Sequence, residues 1–383
     1  MRKGWEYKKL GEYVKEYSVK NKLNENIPVY SVTNSQGFCK DYFGKEVASK
    51  DKSTYKIVPF GFFAYNPSRI NVGSIDWQAQ EDRVIVSPLY NVFSVSAKLK
   101  QQYLLYYLKS PLTIHYIDSV ATGTVRLNLK FSMLKEFIVP VPSIAKQEYI
   151  VSELDKINEL IRLKKEQLKD FDNLAQSLFY EMFGDPMENE KGWEVKKLNE
   201  IVSDNCSISY GIVQPGDGVE NGVPVVRPVD MTKTFVSRKG LKNTTKEISD
   251  SYKRTILKGN EILMCVRGTT GLISMATPEL QGCNVTRGIA PIECGPTCDK
   301  WFVFYQILNP AIQHHIAEYT RGIALKQINM KDVRDIPLCL PPLSLQRLFA
   351  QRIEQIEREK SEVQKSIQDL ETLLASRMQY WFE

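Results

Sequence analysis

The chain contains one sequence unit twice, and this duplication limits the folds it can adopt. The segment GWEYKKLGEYV at residues 4–14 returns as GWEVKKLNEIV at residues 192–202, with eight of eleven residues identical. Farther along, the spacing settles at 199 residues, as seen for Tyr106 and Tyr305, Pro111 and Pro310, His115 and His314, Gly123 and Gly322, Pro142 and Pro341, and Gln147 and Gln346. The 383 residues should therefore fold as two similar units.

Each unit ends in a long stretch with the heptad spacing of a two-helix seam. The first seam consists of Ile150, Leu154, Ile157, Ile161, Lys164, Leu168, Phe171, Ala175, Leu178 and Met182. The second consists of Phe349, Ile353, Ile356, Lys360, Val363, Ile367, Leu370, Leu374, Arg377 and Trp381. A single stripe usually packs on a globular core. Two stripes in register favour an intramolecular coiled coil, whose first helix should end at Phe183, before Gly184 and Pro186.

The segment before each long helix is typical of an α+β domain. Runs rich in Val, Ile, Phe and Tyr predict strands at residues 55–65, 83–95, 223–229 and 261–266. Shorter helices are predicted at residues 99–109 and 299–308, ended by Pro111 and Pro310, with a polar loop after each. A proline-containing last strand follows at residues 137–142 and 336–341. We predict a first domain at residues 1–142, a long helix at 143–184, a second domain at 185–341 and a second long helix at 342–383.

Composition restricts the class of protein. The net charge is +6, and residues 1–140 carry 20 Lys or Arg against 12 Asp or Glu. This excess suits phosphate contacts, although many enzymes are equally basic. The charged N-terminus and the absence of 18 consecutive apolar residues predict a cytoplasmic protein with no membrane partner. Seven scattered cysteines suggest buried thiols, and no second Cys or His pair stands at zinc-site spacing, so we predict no metal site.

The order domain, helix, domain, helix has a geometrical consequence. A helix of about 40 residues is roughly 60 Å long. If the two helices pair antiparallel, the two domains should lie at opposite ends and be related by a pseudo-twofold axis. DNA is a partner with matching symmetry, because twofold-related modules recognise half-sites about a helical turn apart. The domains differ in their middle portions, so their half-sites should differ in sequence.

At this point the chain resembles the specificity subunit of type I restriction-modification systems. The resemblance covers nearly all of the chain. It depends on the duplicated GWExKKL opening, the Thr-Gly-Thr loop at 122–124, the proline-containing strand with the Gln147 helix after it, and Phe-Gly-Asp-Pro at 183–186. Two features depart from it: the second loop reads Thr320-Arg321-Gly322-Ile323-Ala324, and Phe382 is not followed by Gly-Asp-Pro.

The resemblance implies a function without catalysis by this chain. Each globular part would be a target recognition domain that recognises half of a bipartite, asymmetric site on double-stranded DNA. The long helices would set the gap between the halves and dock two methyltransferase subunits, which two restriction subunits can join. The methyltransferases would flip an adenine and methylate its N6 with S-adenosylmethionine. That cofactor, ATP and Mg are expected in the partner subunits and none in this chain.

Loops that combine Gly with Arg, Thr or Asn supply the donors that base edges and phosphates require. The candidate DNA-binding residues are Asn66, Ser68, Arg69, Thr122, Thr124, Arg126, Arg267, Thr269, Thr270, Thr286, Arg287, Arg321 and Lys326. The alternative for each loop is a solvated turn whose Arg pairs with a neighbouring carboxylate. On the long helices, Glu148, Asp155, Glu354 and Glu357 form acidic outer faces, which are either solvated or dock a partner subunit.

Catalytic functions find little support in the sequence. Asn66-Pro67-Ser68-Arg69 lacks the Pro and aromatic residue of an amino-methyltransferase motif, and Gly268-Thr269-Thr270-Gly271 lacks the lysine of a phosphate-binding loop. No nucleophile stands with a recognisable base and orienting carboxylate. The equivalent positions of His115 and His314 favour a packing or turn role. The alternative function is a coiled-coil scaffold whose two heads bind proteins.

Overall fold

A computed structural model describes residues 2–40, 51–121, 128–216, 218–323 and 325–383. The chain divides into two compact units, of which the first comprises residues 1–166 with 364–383 and the second comprises residues 167–363. Each unit therefore contains one globular part and one half of each long helix. Among the described residues, no helix has both the length and the apolar character needed to cross a bilayer.

The first globular part is a mixture of short strands and helices that leads into a long helix. Its strands are β1 (Glu6–Lys9), β2 (Val14–Glu16), β3 (Ser31–Thr33), β4 (Gly37–Cys39), β5 (Lys56–Pro59), β6 (Phe63–Tyr65), β7 (Ile75–Trp77), β8 (Arg83–Val86), β9 (Asn91–Val95) and β10 (Ile138–Val141). Its helices are α1 (Gln101–Leu108), α2 (Pro111–Val120), α3 (Phe131–Leu134) and the long α4 (Ile144–Phe183). The strands pair antiparallel, and the largest sheet has the order β2-β9-β6-β7.

The second globular part repeats this plan with changes in its sheets. Its strands are β11 (Glu194–Lys197), β12 (Val223–Val226), β13 (Lys242–Thr244), β14 (Ile262–Cys265), β15 (Ile273–Met275), β16 (Asn284–Val285), β17 (Ile289–Ile292) and β18 (Pro337–Leu340). Its helices are α5 (Leu198–Ile201), α6 (Lys246–Ser251), α7 (Lys300–Leu308), α8 (Pro310–Glu318), α9 (Met330–Arg334) and the long α10 (Leu343–Phe382). Strand β14 lies between β15 and β17, and β12 pairs antiparallel with β13 and parallel with β16.

The two long helices run antiparallel in both units. In the first unit, Glu153 of α4 contacts Arg377 of α10, whereas Lys165, farther along α4, pairs with Glu371 at 2.9 Å. In the second unit, Asp172 pairs with Lys360 at 2.8 Å. The later Phe183 packs against Phe349, with ring centroids 5.4 Å apart. The prediction of two α+β parts with two long antiparallel helices is confirmed.

The ends of the long helices also pack against the globular cores, a contact that the heptad pattern does not predict. In the first unit, the ring of Phe382 lies 5.4 Å from that of Tyr103 and 5.9 Å from that of Tyr107. In the second unit, Phe183 lies 4.7 Å from Phe302, a buried residue of α7. Each helix therefore buries two faces near its C-terminus, one toward the other helix and one toward a globular part.

The duplicated glutamine that follows the last strand joins three elements in each unit. Gln147 is fully buried; its side-chain oxygen accepts a hydrogen bond from Lys100 N at 2.9 Å, and its Nε2 donates to Pro142 O at 2.9 Å. Gln346 repeats this pattern with Asp299 N and Pro341 O at 2.9 and 2.7 Å. The glutamine thereby satisfies backbone groups where the shorter helix begins and the last strand ends.

Several local predictions were wrong, and prolines or glycines explain them. Pro111 and Pro310 do not lead into loops; each is the first residue of a second helix, α2 or α8, where the missing N–H is not needed. The strand predicted over residues 55–65 is divided by a turn at Gly61, whose φ is +80°. Residues 83–95 also form two strands, β8 and β9, and β12 ends at Val226 rather than at residue 229.

Candidate nucleic-acid interface

The turn after β14 presents the first group of candidate residues in the second globular part. Residues 266–272 connect β14 to β15, and Gly268 and Gly271 adopt φ values of +91° and +85°. A Cβ at Gly271 would lie 2.6 Å from Gln313 Oε1, so a larger residue does not fit without a shift. Gln313 Nε2 donates to Gly271 O at 3.0 Å and ties the turn to α8. The turn leaves Thr269 exposed and Arg267 and Thr270 half-buried.

Two further loops meet this turn through backbone and hydroxyl hydrogen bonds. Gly268 N donates to Lys326 O at 2.8 Å, and Ile328 N donates to Val266 O at 3.0 Å. The Thr320 hydroxyl donates to Thr270 Oγ1 at 3.0 Å. On the other side, Val266 N donates to Gly288 O at 2.8 Å, which places Thr286 and Arg287 beside the same turn. The structure thus brings the candidates at 267–270, 286–287 and 321–326 together.

The two ends of the loop at 320–327 pair with each other as the base of a short hairpin. Arg321 and Gln327 exchange two backbone hydrogen bonds, each 2.8 Å long. Between them, Gly322 has a φ of +102°, and a Cβ there would lie 2.3 Å from Leu325 O. This close approach of two backbone segments requires glycine. Arg321 and Lys326 stand on either side of the tip, and both are exposed.

The cationic side chains on this face are not neutralised by the protein. In the described part of the second globular region, no ion pair joins Arg267, Arg287, Arg321 or Lys326 to a carboxylate. Arg287 lies over the ring of Tyr210, with its guanidinium 5.9 Å from the ring centroid. These four side chains therefore do not follow the alternative of an Arg paired with a neighbouring carboxylate.

The first globular part has a related but smaller set of described candidates. Asn66 Oδ1 accepts a hydrogen bond from Ser68 N at 3.0 Å, which shapes the turn after β6 and leaves Ser68 and Arg69 exposed. Leu129 N donates to Pro67 O at 3.1 Å, and Tyr65 OH donates to Leu129 O at 3.0 Å. Burial raises the pKa of Tyr65, so its hydroxyl remains a donor at neutral pH. Thr122, Thr124 and Arg126 lie outside the described residues.

The two globular parts hold their loops with the same backbone contact. The hydrogen bond from Leu129 N to Pro67 O has its counterpart in the one from Ile328 N to Val266 O. The two donors are 199 residues apart, the spacing of the duplication in that region, and the two acceptors are within one residue of the local spacing of 198. The loop after the central strand and the loop before the last short helix therefore lie side by side in both copies.

The family follows from this duplicated architecture and a direct match. The profile of the type I restriction modification DNA specificity domain matches residues 2–170 and again residues 190–372. The chain belongs to this family. Each copy of the repeat carries one specificity domain, and the resemblance predicted from the sequence is confirmed.

Individual relatives support the same assignment. The type I restriction enzyme EcoBI specificity subunit of Escherichia coli is 23% identical over 279 residues, which cover 66% of this chain but only 59% of that relative. The chain thus matches less than two thirds of that relative's length. A solved structure of a type I R-M system matches with a TM-score of 0.61 at 19% identity, covering 99% of this chain and 97% of that one. The type I S subunit from M. genitalium gives 0.51 at 14% identity, covering 99% and 96%. These two structures share the fold.

Two residues of the second specificity domain belong to this face although sequence reasoning did not select them. Gln327 is exposed and stands between the two arginines, because its backbone pairs with both Arg267 and Arg321. Tyr210 lies under Arg287. Gln327 could have been found from its place beside the Gly-containing loop. Tyr210 gave no local signal, since it is far from Arg287 in sequence.

The seam residues of both long helices are buried or half-buried. The buried ones are Ile150, Leu154, Ile157, Ile161, Phe349, Ile353, Ile356, Val363 and Ile367, and the half-buried ones include Leu168, Phe171, Leu178, Leu370 and Leu374. Lys360 is the polar exception in the second unit. Burial alone would lower the pKa of Lys360, but hydrogen bonds to Asp172 and Glu357 outweigh it and raise that pKa.

The acidic outer faces predicted for the helices are largely engaged within the protein. Glu148 pairs with Lys100 at 2.7 Å, and Asp155 accepts a hydrogen bond from Tyr106 OH at 2.5 Å. The Glu357 side chain is nearly buried and pairs with Lys360 at 2.7 Å, so its assignment to an outer face was wrong. The predicted packing or turn role of His115 and His314 was also wrong, because both residues are exposed within helices, α2 and α8.

An apolar groove runs along the first half of α4 in the first unit. Its volume is about 850 Å³, and Trp77, Val151 and Leu160 contribute its apolar lining. The Trp77 indole N–H donates to Gln102 Oε1 at 3.0 Å, which fixes the ring at the side of the groove. The described residues contain no group of three His, Cys, Asp or Glu side chains placed to hold a metal ion.

Proposed function

We propose that this chain is the DNA-recognition subunit of a type I restriction-modification complex, in which each specificity domain recognises one half of a bipartite, asymmetric site. The observation that carries the proposal is the face of the second domain where three loops meet. It presents Arg267, Arg287, Arg321 and Lys326, none of which pairs with a carboxylate of the described residues, together with the Thr269 and Thr270 hydroxyls. Forked cations and hydroxyls are the groups that contact phosphates and base edges.

The two half-sites should have different sequences. Both domains hold their loops with an equivalent backbone contact, but the side chains on those loops differ: the first domain has Asn66, Ser68 and Arg69 where the second has the Arg267 turn. The main chain fixes where each loop stands, whereas the side chains that reach base edges determine the sequence that is recognised. A shared frame with different side chains therefore supports an asymmetric site.

The long helices would set the gap between the half-sites and dock two methyltransferase subunits, which two restriction subunits can join. The groove lined by Trp77, Val151 and Leu160 supports docking at the first half of α4, because exposed apolar patches commonly mark protein interfaces. The carboxylates on the same surface contribute less than expected, since Glu148 and Asp155 are already engaged. Apolar contacts would carry most of the docking energy.

The chain would perform no chemistry of its own. We propose that S-adenosylmethionine, ATP and Mg are held by the partner subunits, and that this chain directs methylation by placing them on a site. The sequence of Asn66-Pro67-Ser68-Arg69 supports this division, because it lacks the residues with which amino-methyltransferases hold the target amine.

The test combines DNA binding with methylation mapping. The full chain should bind duplex DNA with an affinity that falls steeply with salt. Cells that express it with its partner methyltransferase should gain methylation at one gapped motif, and cells without it should not. Tight binding to another protein without DNA affinity and without a new methylated motif would instead indicate a scaffold with two protein-binding heads.

A further inference from the structure

The tip of the loop at 320–327 carries an apolar side chain that stability does not explain. Ile323 is fully exposed, and Leu325 in the same loop is about half-exposed. Burial of an Ile side chain stabilises a fold, and this side chain contributes no such stabilisation because it stays in water. A polar residue at this place would fold equally well. One exposed apolar residue is ordinary on a protein surface, so the surroundings of Ile323 decide whether it has a partner.

The loop holds Ile323 on a fixed base. Below the tip, Arg321 and Gln327 exchange their backbone hydrogen bonds, and the base of the loop is tied to the neighbouring turn by Gly268 N to Lys326 O at 2.8 Å. The hydroxyls of Thr320 and Thr270 add a contact at 3.0 Å. These bonds lower the entropy lost when the tip contacts a partner.

The surroundings of Ile323 indicate the chemistry of that partner. Arg321 and Lys326 flank the tip, and neither pairs with a described carboxylate. A protein interface of ordinary size needs a broad apolar centre, which one isoleucine and a half-exposed leucine do not provide. The partner that fits two cations on either side of one apolar side chain is a polyanion with small apolar groups between its charges. Duplex DNA is such a polyanion, because each thymine displays a 5-methyl group in the major groove.

We propose that Ile323 is a specificity-determining residue that contacts the 5-methyl group of a thymine in the half-site recognised by the second specificity domain. This inference rests on the proposed function. Arg321 and Lys326 contact the phosphates on either side, and the short hairpin enters the major groove, which is wide enough for a two-stranded ribbon. Ile323 then discriminates thymine from cytosine, which lacks the methyl group.

The experiment is selection of bound duplexes from a randomised pool by the full chain and its variants. The wild type should enrich a gapped motif with a fixed thymine in one half. Ile323→Ser should lose the preference at that base pair and keep the other half unchanged. Val195→Ser is the matched control, because Val195 is an apolar, β-branched and partly exposed residue of β11 in the same domain. It should select the wild-type motif.

A second measurement removes the methyl group from the DNA instead of the side chain from the protein. Replacing the fixed thymine by deoxyuridine should weaken wild-type binding about fourfold, the value of one buried methyl group. The same replacement should not weaken binding by Ile323→Ser any further. Equal thermal midpoints of wild type and variant exclude a folding defect, which is not expected at a fully exposed position.

The outcomes separate this inference from the proposed function. If the wild type enriches a motif and Ile323→Ser enriches the same one with equal affinity, the inference is wrong and the proposed function stands. If Ile323→Ser weakens binding to every duplex alike and deoxyuridine has no effect, Ile323 is not a thymine contact, and a wedge between base pairs is the better description. If the wild type enriches no sequence, both proposals fail.

Discussion

Removing the charges of Arg321 and Lys326 together should reduce the salt dependence of DNA binding by a definite amount. Both side chains are exposed at the tip of one loop and lack a described carboxylate partner, so both are free to contact phosphates. Each phosphate that a protein neutralises releases condensed counterions and contributes about −0.9 to the slope of log K against log salt. The double variant Arg321→Ala/Lys326→Ala should therefore make this negative slope shallower by about 1.8.

The corresponding change in affinity is large enough to measure. Between 50 and 200 mM salt, each phosphate contact weakens binding by about 3.5-fold, and two contacts weaken it by about 12-fold. The double variant should therefore lose about 12-fold less affinity over this range than the wild type. At 50 mM salt the affinity of the variant should already be lower than that of the wild type, because the variant lacks two phosphate contacts.

The assay is fluorescence anisotropy with a labelled duplex at five or more salt concentrations. The matched control is Lys196→Ala/Lys197→Ala, which removes the same charge from β11 of the same domain. Those lysines pair with Glu194 at 3.4 Å and Asp335 at 2.8 Å and are not on the loop face. Their removal should leave the slope within about 0.5 of the wild type. Equal slopes for all three proteins would refute the assignment of this loop to DNA.

Three further outcomes follow from the packing and the charges. Phe349→Ala should lower the free energy of unfolding of the unit at 167–363 by about 3–5 kcal/mol, because Phe349 is fully buried. The control Leu348→Ala, at a half-exposed neighbouring position, should lower it by about 1 kcal/mol or less. Urea titrations measure both values. Glu153→Gln should lower the free energy of unfolding by about 1–3 kcal/mol at pH 7. The hydrogen bond from Arg377 holds the pKa of Glu153 below its ordinary 4.5, so the stabilisation by the carboxylate is complete above pH 4.5. The difference in stability between variant and wild type should vanish as the pH falls through the lowered pKa. Inserting one heptad in the middle of both long helices lengthens them by about 10 Å and should widen the methylated motif by about three base pairs without changing its half-sites, as sequencing of methylated DNA can check.

The long helices were predictable because one signal repeats along their whole length. Ten seam positions at alternating steps of four and three fit a helix and no other regular secondary structure. Gly184 marks the end of α4. The structure places the end of α4 at Phe183 and shows Lys191 Nζ donating to the carbonyl oxygens of Glu181 and Met182 at 2.7 and 3.0 Å. That cap was not predictable, since it involves a side chain that returns from the next segment.

Short elements were harder to predict because their ends depend on neighbours. A proline ends one helix, and whether a second helix begins there depends on the capping residue before it. Asn309 Oδ1 accepts a hydrogen bond from Ala311 N at 2.9 Å and caps the start of α8. The outer face of α10 was misjudged at Glu357 for a related reason. Heptad position alone places Glu357 away from the other helix, but Lys360 and the nearby Tyr305 hold its side chain inward.

The candidate loops were identifiable from composition, whereas their convergence was not. Gly, Arg and Thr in one short segment indicate a turn with exposed donors. Whether the segments at 267–270, 286–287 and 321–326 meet depends on long-range backbone contacts such as Ile328 N to Val266 O. Such contacts use main-chain groups that do not depend on the type of side chain, so the amino-acid pattern does not predict them.

Under the proposed function, this independence from side chains would let the two specificity domains share a frame and still recognise different bases. The contact that joins the loops uses Pro67 and Leu129 in one domain and Val266 and Ile328 in the other. Its N···O distances are 3.1 and 3.0 Å although the residues differ. The side chains at the loop tips are outside this frame, as the full exposure of Ile323 illustrates. Substitution there would change the surface that the proposed function offers to DNA and leave the frame intact. Exchanging tip residues should therefore alter the recognised bases at little cost in stability, whereas substitutions that disturb the frame should affect folding first.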